Sequence, residues 1–160
     1  MTRCGWAGTD AIYIEYHDTE WGVPLHDDMK LFELLILEGA QAGLSWITVL
    51  KKRENYRKSM AEFNPFAIAA YGSKEVNRLM SNEGIIRNRL KVEASIQNAR
   101  AVLKIIDQHG SFSEFLWDHF DGKPIVNKFN RVSEIPSFSA SSQRLSKDLK
   151  NRGFKFVGPT

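Results

Sequence analysis

The chain has 160 residues, a formal net charge of +3 and 42% hydrophobic residues, which is typical of a folded globular protein and excludes a disordered or fibrous one. Its one cysteine excludes an intrachain disulfide, and with it a disulfide-built secreted scaffold. The sequence has neither a run of about 18 apolar residues nor the apolar segment of a signal peptide at its start. We therefore expect no membrane span and a cytoplasmic location.

The charge is unevenly distributed along the chain. Residues 1–40 carry eight acidic side chains against two basic ones, a net of −6, so the remainder carries +9. Such a split fits a basic face for a polyanion beside an acidic segment that has another task. It equally fits an uneven surface charge with no partner, and the charge alone does not separate these two interpretations.

The first predicted elements are helices. Residues 30–39 are apolar nearly all round, which predicts a buried central helix with Asp27 or Asp28 as its N-cap. After a glycine-flanked break, Ser45 is expected to cap a helix that runs from Trp46 to about Met60, where apolar residues repeat at helical spacing.

The second half of the chain is also predicted to be helical, from its capping signals. Helices are expected at Asn64-Pro65, at Ser73, from Asn88 to Gln108 with a stop at Gly110, behind a capping box of Ser111 and Glu114, and from Ser141 or Ser142 to Gly153. Strand-type alternation is nearly absent. We therefore predict a single all-α domain over residues 1–160, with seven or eight helices packed around the helix at 30–39.

Aromatic residues are concentrated in the first third of the chain, several of them in loop-like sequence: Trp6, Tyr13, Tyr16, Trp21 and Trp46. A core role is the usual explanation for an aromatic residue. A cluster beside a carboxylate also fits a stacking pocket for a flat or cationic ligand. The carboxylate is Glu38, which either projects into solvent or accepts hydrogen bonds at the floor of that pocket.

Two loops have features that nucleic-acid contacts use. In the loop 41–45, Leu44 on a tight turn is normally a core residue, yet it could also enter a base stack as an apolar wedge. In the segment 83–88, a glycine hairpin can turn backbone N–H groups towards a phosphate, although many helical hairpins share this pattern. The basic stretches at 51–58 and 144–155 are more often solvated helix faces than nucleic-acid contacts.

Cys4 and His17 could supply two ligands of a tetrahedral zinc site. Two ligands do not hold a structural zinc ion, and the sequence has no second cysteine. A lone cysteine is more often a buried, inert thiol. The chain also contains no glycine-rich phosphate loop and no dinucleotide-binding fingerprint.

Taken together, several stretches resemble 3-methyladenine DNA glycosylase I along the whole chain. They are Arg3-Cys4-Gly5-Trp6, Tyr13-Ile14-Glu15-Tyr16-His17-Asp18, Glu20-Trp21-Gly22-Val23-Pro24, Leu37 to Trp46, Lys51 to Tyr56, Gly84-Ile85-Ile86-Arg87 and Gly153 to Gly158. The stretch from Glu38 to Trp46 and the Tyr-His-Asp-x-Glu-Trp-Gly stretch are specific, and a chance match to both is very improbable.

The resemblance implies a helix-hairpin-helix glycosylase fold and the excision of 3-methyladenine from double-stranded, alkylated DNA. The methylated base would first flip into a pocket, and its N-glycosidic bond would then be hydrolysed. Glu38 would be the catalytic carboxylate and would accept hydrogen bonds from the base edge. The aromatic pocket would consist of Trp6, Tyr13, Tyr16, Trp21 and Trp46, with Trp46 stacked on the base.

The resemblance further implies DNA contacts through both loops, with Leu44 filling the gap that the flipped base leaves. The implied DNA-binding residues are Gln41, Gly43, Leu44, Gly84, Ile85, Ile86 and Arg87. A cationic base leaves as a neutral molecule, so no lysine nucleophile is needed, and we expect a monofunctional enzyme without lyase activity, acting as a monomer. The superfamily's usual aspartate after the hairpin is absent, and we do not assign that role to Asp107.

Members of the family continue past the stretch 154–158 and supply a late histidine and cysteine there. Together with Cys4 and His17, these residues close a structural zinc site, the cofactor that the resemblance implies. The present chain ends at Thr160 and holds only two of the four ligands. We therefore expect a domain that lacks the family's C-terminal segment, although a chain without zinc is the alternative.

Two other functions stay open. A non-catalytic helix-hairpin-helix DNA-binding module would be favoured by the loss of Glu38 or Trp46, and both are present. A carboxylate-based hydrolase of another glycoside would need a paired acid and base, for which Glu15, Glu20 and Glu38 are the candidates.

Overall fold

The computed structural model describes residues 3–160, and in that range every regular element is helical. The α-helices in chain order are α1 (Ala11–Thr19), α2 (Asp28–Gln41), α3 (Trp46–Leu50), α4 (Arg53–Ser59), α5 (Pro65–Ala69), α6 (Ser73–Met80), α7 (Arg89–His109), α8 (Phe112–Asp118) and α9 (Ala140–Asn151). Short 3-10 turns occupy Gly5–Ala7, Ala61–Phe63 and Val132–Glu134. The all-α prediction is confirmed, with nine α-helices in the described range instead of seven or eight. None of those helices is both long enough and apolar enough to cross a bilayer.

The central helix forms as the sequence predicts. The side chain of Asp27 accepts a hydrogen bond from the Lys30 amide at 2.9 Å and so caps α2. Phe32 and Leu37 have no exposed surface, and Ile36 is buried beside them. Helix α2 packs against α7, which also contacts α5, α6 and α8. These two helices form the centre of the core.

Most of the predicted capping signals are confirmed by hydrogen bonds. The side chains of Asn64, Asn88 and Ser111 each accept a bond from an amide in the first turn of the helix that follows. Helix α7 ends at Gly110, whose φ of +84° is readily adopted only by glycine. These signals are local, which is why sequence reasoning finds them.

Three helix boundaries differ from the predictions. Residues 46–60 form two helices instead of one, with a break at Lys51 and Lys52. Lys51 pairs with Asp10 at 2.6 Å, and Lys52 donates to the Glu83 carbonyl at 2.8 Å, so both side chains at the break are used in distant contacts. Helix α9 begins earlier than predicted, because Ser139 is its N-cap.

No helix is predicted from the sequence around Tyr13 and Tyr16, where the structure has α1. Asp10 accepts a hydrogen bond from the Ile12 amide and starts α1, so both tyrosines lie on a helix, one turn apart and on the same face. Helix α1 has no apolar stripe, and Ile12 is partly exposed, so the periodic signal for a helix is missing from the sequence.

Two arginines of the basic stretch at 51–58 form a partly buried ion-pair network. Arg53 donates to both carboxylate oxygens of Glu20, at 2.7 and 2.8 Å. Arg53 and Arg57 both donate to Glu33, which is only 6% exposed. This network joins the C-terminal end of α1, the middle of α2 and the whole of α4.

We expect Glu33→Gln to lower the free energy of unfolding by about 3 kcal/mol, because it leaves two guanidinium groups facing a neutral amide inside the protein. Urea denaturation measures this loss. Glu54→Gln is the matched control: Glu54 also pairs with Arg57, but its side chain is 66% exposed, so its replacement should cost about 0.5 kcal/mol or less. Equal losses in the two variants would contradict the scaffold role of Glu33.

Candidate active site

Tyr13 and Tyr16 on α1 face Glu38 on α2. Burial is the main cause that raises the pKa of both phenols, and the negative charge of Glu38 adds to it in each case. The pKa of Tyr16 rises to about 12. Both hydroxyl groups therefore keep their protons at neutral pH and can donate hydrogen bonds.

Glu38 is an acceptor that the protein itself does not use. No hydrogen bond or ion pair from residues 3–160 reaches its carboxylate. Its side chain is exposed to solvent. The protein around the carboxylate still removes part of its hydration, and this desolvation raises the pKa of Glu38. It borders an open cleft of about 550 Å³, which Gln41, Leu44 and Phe156 also line. A group of this kind can bind a ligand that brings a positive charge or N–H donors.

The predicted aromatic residues form two contacting groups around α1. Trp6 has ring centroids 5.1 Å from those of both Tyr13 and Trp21, and Tyr16 lies 5.3 Å from Trp46. Trp46 is 7% exposed. Within the described chain, its Nε1 is the one buried side-chain polar atom that lacks a hydrogen-bond partner. A bound ligand with a hydrogen-bond acceptor would satisfy this N–H group.

The loop after α2 displays Leu44 at the edge of the cleft. Leu44 is 40% exposed, so its interpretation as a core residue is wrong. The turn is tight, because the Leu44 amide donates to the Gln41 carbonyl and Gly43 has a φ of +79°. A side chain at Gly43 would strain that backbone. The exposed leucine and the carboxylate of Glu38 thus lie on the same side of the molecule.

The hairpin 81–88 packs closely on α4. A Cβ atom on Gly84 would lie 2.9 Å from side-chain atoms of Asn55, so this close approach requires glycine. The Ile86 amide donates to the Tyr56 hydroxyl, and Ile85 is 2% exposed.

The hairpin amides are largely used inside the protein. Those of Gly84 and Ile85 donate to Asn82, and that of Ile86 is taken up by α4. Arg87 is exposed, with a weak contact of 3.5 Å to Glu83. Of the four residues that were predicted to bind DNA here, Arg87 has the side chain that is free to reach a phosphate.

Cys4 and His17 lie side by side. The Nε2 atom of His17 accepts a hydrogen bond from the Cys4 amide at 3.3 Å, and its Nδ1 is 2.9 Å from Asp18. Arg3 and His17 together lower the pKa of Asp18 to about 2. A histidine held by a carboxylate in this way is typical of a metal ligand. In residues 3–160 no group of three or more His, Cys, Asp and Glu side chains is placed to hold a metal.

Phe156 belongs to the site, although sequence reasoning gave it no role. Its backbone is left-handed, with φ at 55°, and its side chain is 41% exposed in the cleft beside Glu38. A Cβ on Gly39 would lie 3.2 Å from the Cβ of Phe156, so the two segments need glycine there. The segment 153–158 is part of the resemblance to the family, but no local sequence pattern identifies Phe156 as a site residue.

The alternative acid and base pair is not supported by the geometry. Glu20 is held by Arg53 through both of its oxygens, and Glu15 is exposed on α1. Glu38 is therefore the one carboxylate of the three that borders the cleft with an uncommitted charge.

The all-helical fold, its helix–hairpin–helix element and an uncommitted carboxylate beside an exposed loop leucine agree with the helix-hairpin-helix DNA glycosylases. The family model described as methyladenine glycosylase matches residues 6–160. The DNA-3-methyladenine glycosylase 1 of Escherichia coli K12 is 52% identical over 160 residues, which are 100% of this chain and 86% of that protein. The chain belongs to the methyladenine glycosylase family.

Solved structures agree with this assignment. A crystal structure of 3-methyladenine DNA glycosylase I has a TM-score of 0.95 and 53% identity, covering 99% of this chain and 87% of that one. A structure that explains 3-methyladenine recognition by the Staphylococcus aureus enzyme has a TM-score of 0.95 and 42% identity, covering 99% and 85%. The predicted fold is therefore confirmed.

We expect Glu38→Gln to melt at the same or a higher temperature than the wild type at pH 7. Because burial raises the pKa of Glu38, the folded protein binds this proton more tightly than the unfolded chain does. The resulting stabilisation is present below the ordinary glutamate pKa of about 4.3 and is lost as the pH rises through the raised value. A neutral glutamine avoids that loss.

Thermal melts followed by circular dichroism at pH 7 and near pH 4 test this sign, with Glu15→Gln as the exposed control on α1. The difference in melting temperature between Glu38→Gln and the wild type should be smaller near pH 4 than at pH 7. A clear destabilisation of Glu38→Gln at pH 7 would mean that the carboxylate is a structural partner after all.

Proposed function

We propose that this protein removes 3-methyladenine from alkylated double-stranded DNA by hydrolysing the N-glycosidic bond of a flipped-out base. The observation that carries the proposal is Glu38, an uncommitted carboxylate that faces Tyr13 and Tyr16 within an aromatic cluster. Membership of the methyladenine glycosylase family supports the substrate. The lesion is cationic, and its exocyclic amine is a hydrogen-bond donor, so carboxylate and base have complementary chemistry.

The pocket favours the charged base over a normal one. A cation over a desolvated aromatic face gains about 2 kcal/mol, and an unmodified adenine has no such charge. Trp46 and Tyr16, with centroids 5.3 Å apart, form the part of the cluster that we assign to stacking. Selection therefore uses the property that distinguishes the lesion, which is its positive charge.

The chemistry needs little acid catalysis. The bond between C1′ and N9 breaks with its electron pair passing to the base, which neutralises the cationic ring. The C1′ atom becomes an oxocarbenium-like centre, to which water adds with loss of a proton. Glu38 in its ionised form stabilises the positive charge on both the bound base and the developing sugar cation.

Two exposed residues are assigned to the duplex. Leu44 would fill the gap that the flipped base leaves, as apolar wedges do in distorted DNA. Arg87 would pair with a phosphate beside the hairpin. Gln41 and Gly43 would approach the DNA through the same loop as Leu44, and the remaining hairpin residues would act by holding Arg87 in place. We propose a monomer that acts in the cytoplasm, the location expected from the sequence.

We also propose that the reaction stops at the abasic site. The side chains assigned to the pocket are a carboxylate, phenols and indoles, and none of them is an amine that could form a Schiff base with C1′. Strand cleavage by this protein is therefore not expected.

In alkylated duplex DNA, the wild-type protein should release free 3-methyladenine and leave an intact strand with an abasic site. Glu38→Gln and Trp46→Ala should each reduce the single-turnover rate by roughly 100-fold, the scale of losing one electrostatic group in a preorganised site. Chromatography of the released base and denaturing gels of the strand provide the measurement.

Tyr71→Phe is the control, because Tyr71 lines a separate cleft with residues of α6 and α7 and takes no part in the proposed pocket. Unchanged rates in both pocket variants would refute the assignment of Glu38 and Trp46. No base release by the wild type would refute the proposed function and favour a DNA-binding module. A cleaved strand would refute only the monofunctional part.

We further propose that Cys4 and His17 are two ligands of a structural zinc ion, as the resemblance implies. Nε2 of His17 already has the acceptor role that a ligand needs, and Asp18 holds the opposite nitrogen. Zinc would tie the N-terminal segment to α1 and would supply no catalytic chemistry. Two ligands satisfy only half of a tetrahedral zinc site.

Cobalt substitution tests this pair directly. Cobalt(II) added to the metal-free protein, extended by the family's C-terminal segment with its late histidine and cysteine, should produce a thiolate-to-cobalt charge-transfer band, and Cys4→Ser should abolish it. His109→Asn, which changes a histidine in the last turn of α7, should leave the band unchanged. The absence of the band in the extended protein would contradict the proposal.

A further inference from the structure

The end of α2 is held by a side chain from another helix. Lys91, in the first turn of α7, donates from Nζ to the carbonyl of Ala40 at 2.8 Å and to that of Ala42 at 2.6 Å. The last carbonyl groups of a helix have no partner within the helix, and they form the negative end of its dipole. The ammonium group of Lys91 supplies this helix end with both hydrogen-bond donors and a positive charge.

Helix α2 has neither a basic side chain nor a C-cap glycine of its own at this end. Its last turn contains no basic residue, and its C-cap is Ala42, where many helices have glycine. The Ala42 amide makes only a long contact of 3.4 Å to the Gly39 carbonyl. Lys91 supplies the charged donor that this helix end lacks, and it binds the carbonyl groups of Ala40 and Ala42.

This helix end is the part of the molecule that carries the site. Glu38 and Gln41 lie in the last turn of α2, and Leu44 follows two residues after Ala42. Because Lys91 binds carbonyl groups on both sides of Gln41, it fixes the direction in which the chain leaves the helix. The direction of that exit decides where Leu44 points relative to Glu38.

On its own helix, Lys91 is coupled to the hairpin. Its amide donates to the side chain of Asn88, which is the residue that ends the hairpin and caps α7. Lys91 thus connects the segment assigned to the DNA backbone with the loop assigned to the base stack through one residue.

The environment of Lys91 argues against a role as a simple surface charge. The side chain is partly buried, and burial lowers its pKa. In the described part of the chain it forms no ion pair, and both of its hydrogen bonds go to backbone carbonyls. A neutral side chain of the same length would fill the space but could not bind the two carbonyl groups.

We propose that Lys91 is a positioning residue for base excision, which sets Leu44 and Glu38 relative to the hairpin by capping α2 from α7. This inference rests on the proposed function, because it assigns Lys91 to the same reaction. Lys91 acts through the loop 42–45 and touches neither the base nor the sugar.

The test compares Lys91→Met and Lys91→Gln with Lys91→Arg, which keeps a cation with several donors. Lys104→Met is the matched control, since Lys104 is exposed on the same helix. Lys91→Met and Lys91→Gln should reduce the single-turnover excision rate roughly 10- to 100-fold, the cost of a small misplacement in an active site. Lys91→Arg should recover most of the rate, and Lys104→Met should match the wild type.

Binding to undamaged duplex separates positioning from direct contact. The affinity of Lys91→Met for undamaged DNA should stay within about twofold of the wild type, because a lost phosphate contact would weaken binding to every sequence. A parallel loss of affinity and rate would overturn the proposal. Thermal melts confirm that each variant is folded at the assay temperature, and Lys91→Gln replaces Lys91→Met if the latter is not.

A double-mutant cycle with Leu44→Ala tests the route of the effect. If Lys91 acts through the loop, adding Lys91→Met to Leu44→Ala should reduce the rate by much less than it does alone. Independent effects, in which the two fold-losses multiply, would overturn the proposal.

A readout without catalysis keeps the two proposals distinguishable. In a duplex with 2-aminopurine beside a tetrahydrofuran abasic analogue, insertion of Leu44 should change the fluorescence, and Lys91→Met should lose most of that change. If the wild type releases no base, the proposed function fails, and this fluorescence still decides the role of Lys91. An unaltered signal in Lys91→Met would overturn that role.

Discussion

The carboxylate of Glu33 is the electrostatic centre on which the arrangement of α1, α2 and α4 depends. It is almost fully buried and accepts hydrogen bonds from Arg53 and Arg57. An isolated charge in that position would cost several kcal/mol of desolvation, so the carboxylate and the guanidinium groups must be buried together or not at all. Arg53 extends the contact to Glu20, at the end of the helix that carries both pocket tyrosines. The angle between that helix and α2 is therefore determined by charge pairing as well as by apolar packing.

Glu33 and Glu38 lie five residues apart on α2, yet their environments give them opposite roles. Glu33 is satisfied by two cations and contributes to the fold. Glu38 has no such partner, and burial raises its pKa, so its charge is most stable when a positive ligand is present. The same side chain on the same helix is thus structural at one position and available to a ligand at the other. What differs is the neighbouring helix, which brings arginines to one position and tyrosines to the other.

How well the sequence predicts a structural feature depends on how far apart along the chain the interacting residues lie. Helix α2 and the caps at Asn64, Asn88 and Ser111 are predicted, because their signals lie within a few residues. Helix α1 is not, since its aromatic residues form no stripe and gain their helical form by packing on other segments.

The candidate site shows the same division. Its residue types and their resemblance to a glycosylase are readable in the sequence, whereas the exposure of Leu44 and the position of Phe156 are not. Most contacts of the stretch 51–58 are with residues 20 or more positions away along the chain, as in the pair of Arg53 and Glu33. No local sequence pattern therefore reveals them. Lys91 is the extreme case, because its partners lie about 50 residues earlier.

Cations of the basic stretch at 51–58 pair with carboxylates of the protein itself, and this pairing affects the salt dependence of DNA binding. Association with a duplex is driven in part by the release of condensed counterions, and the number released follows the number of phosphates that cations neutralise. The chain has 22 lysines and arginines, but Lys51, Arg53 and Arg57 already neutralise carboxylates of the protein. Fewer counterions are then displaced than the composition suggests. The affinity for undamaged DNA should therefore depend less steeply on salt than 22 free cations would predict.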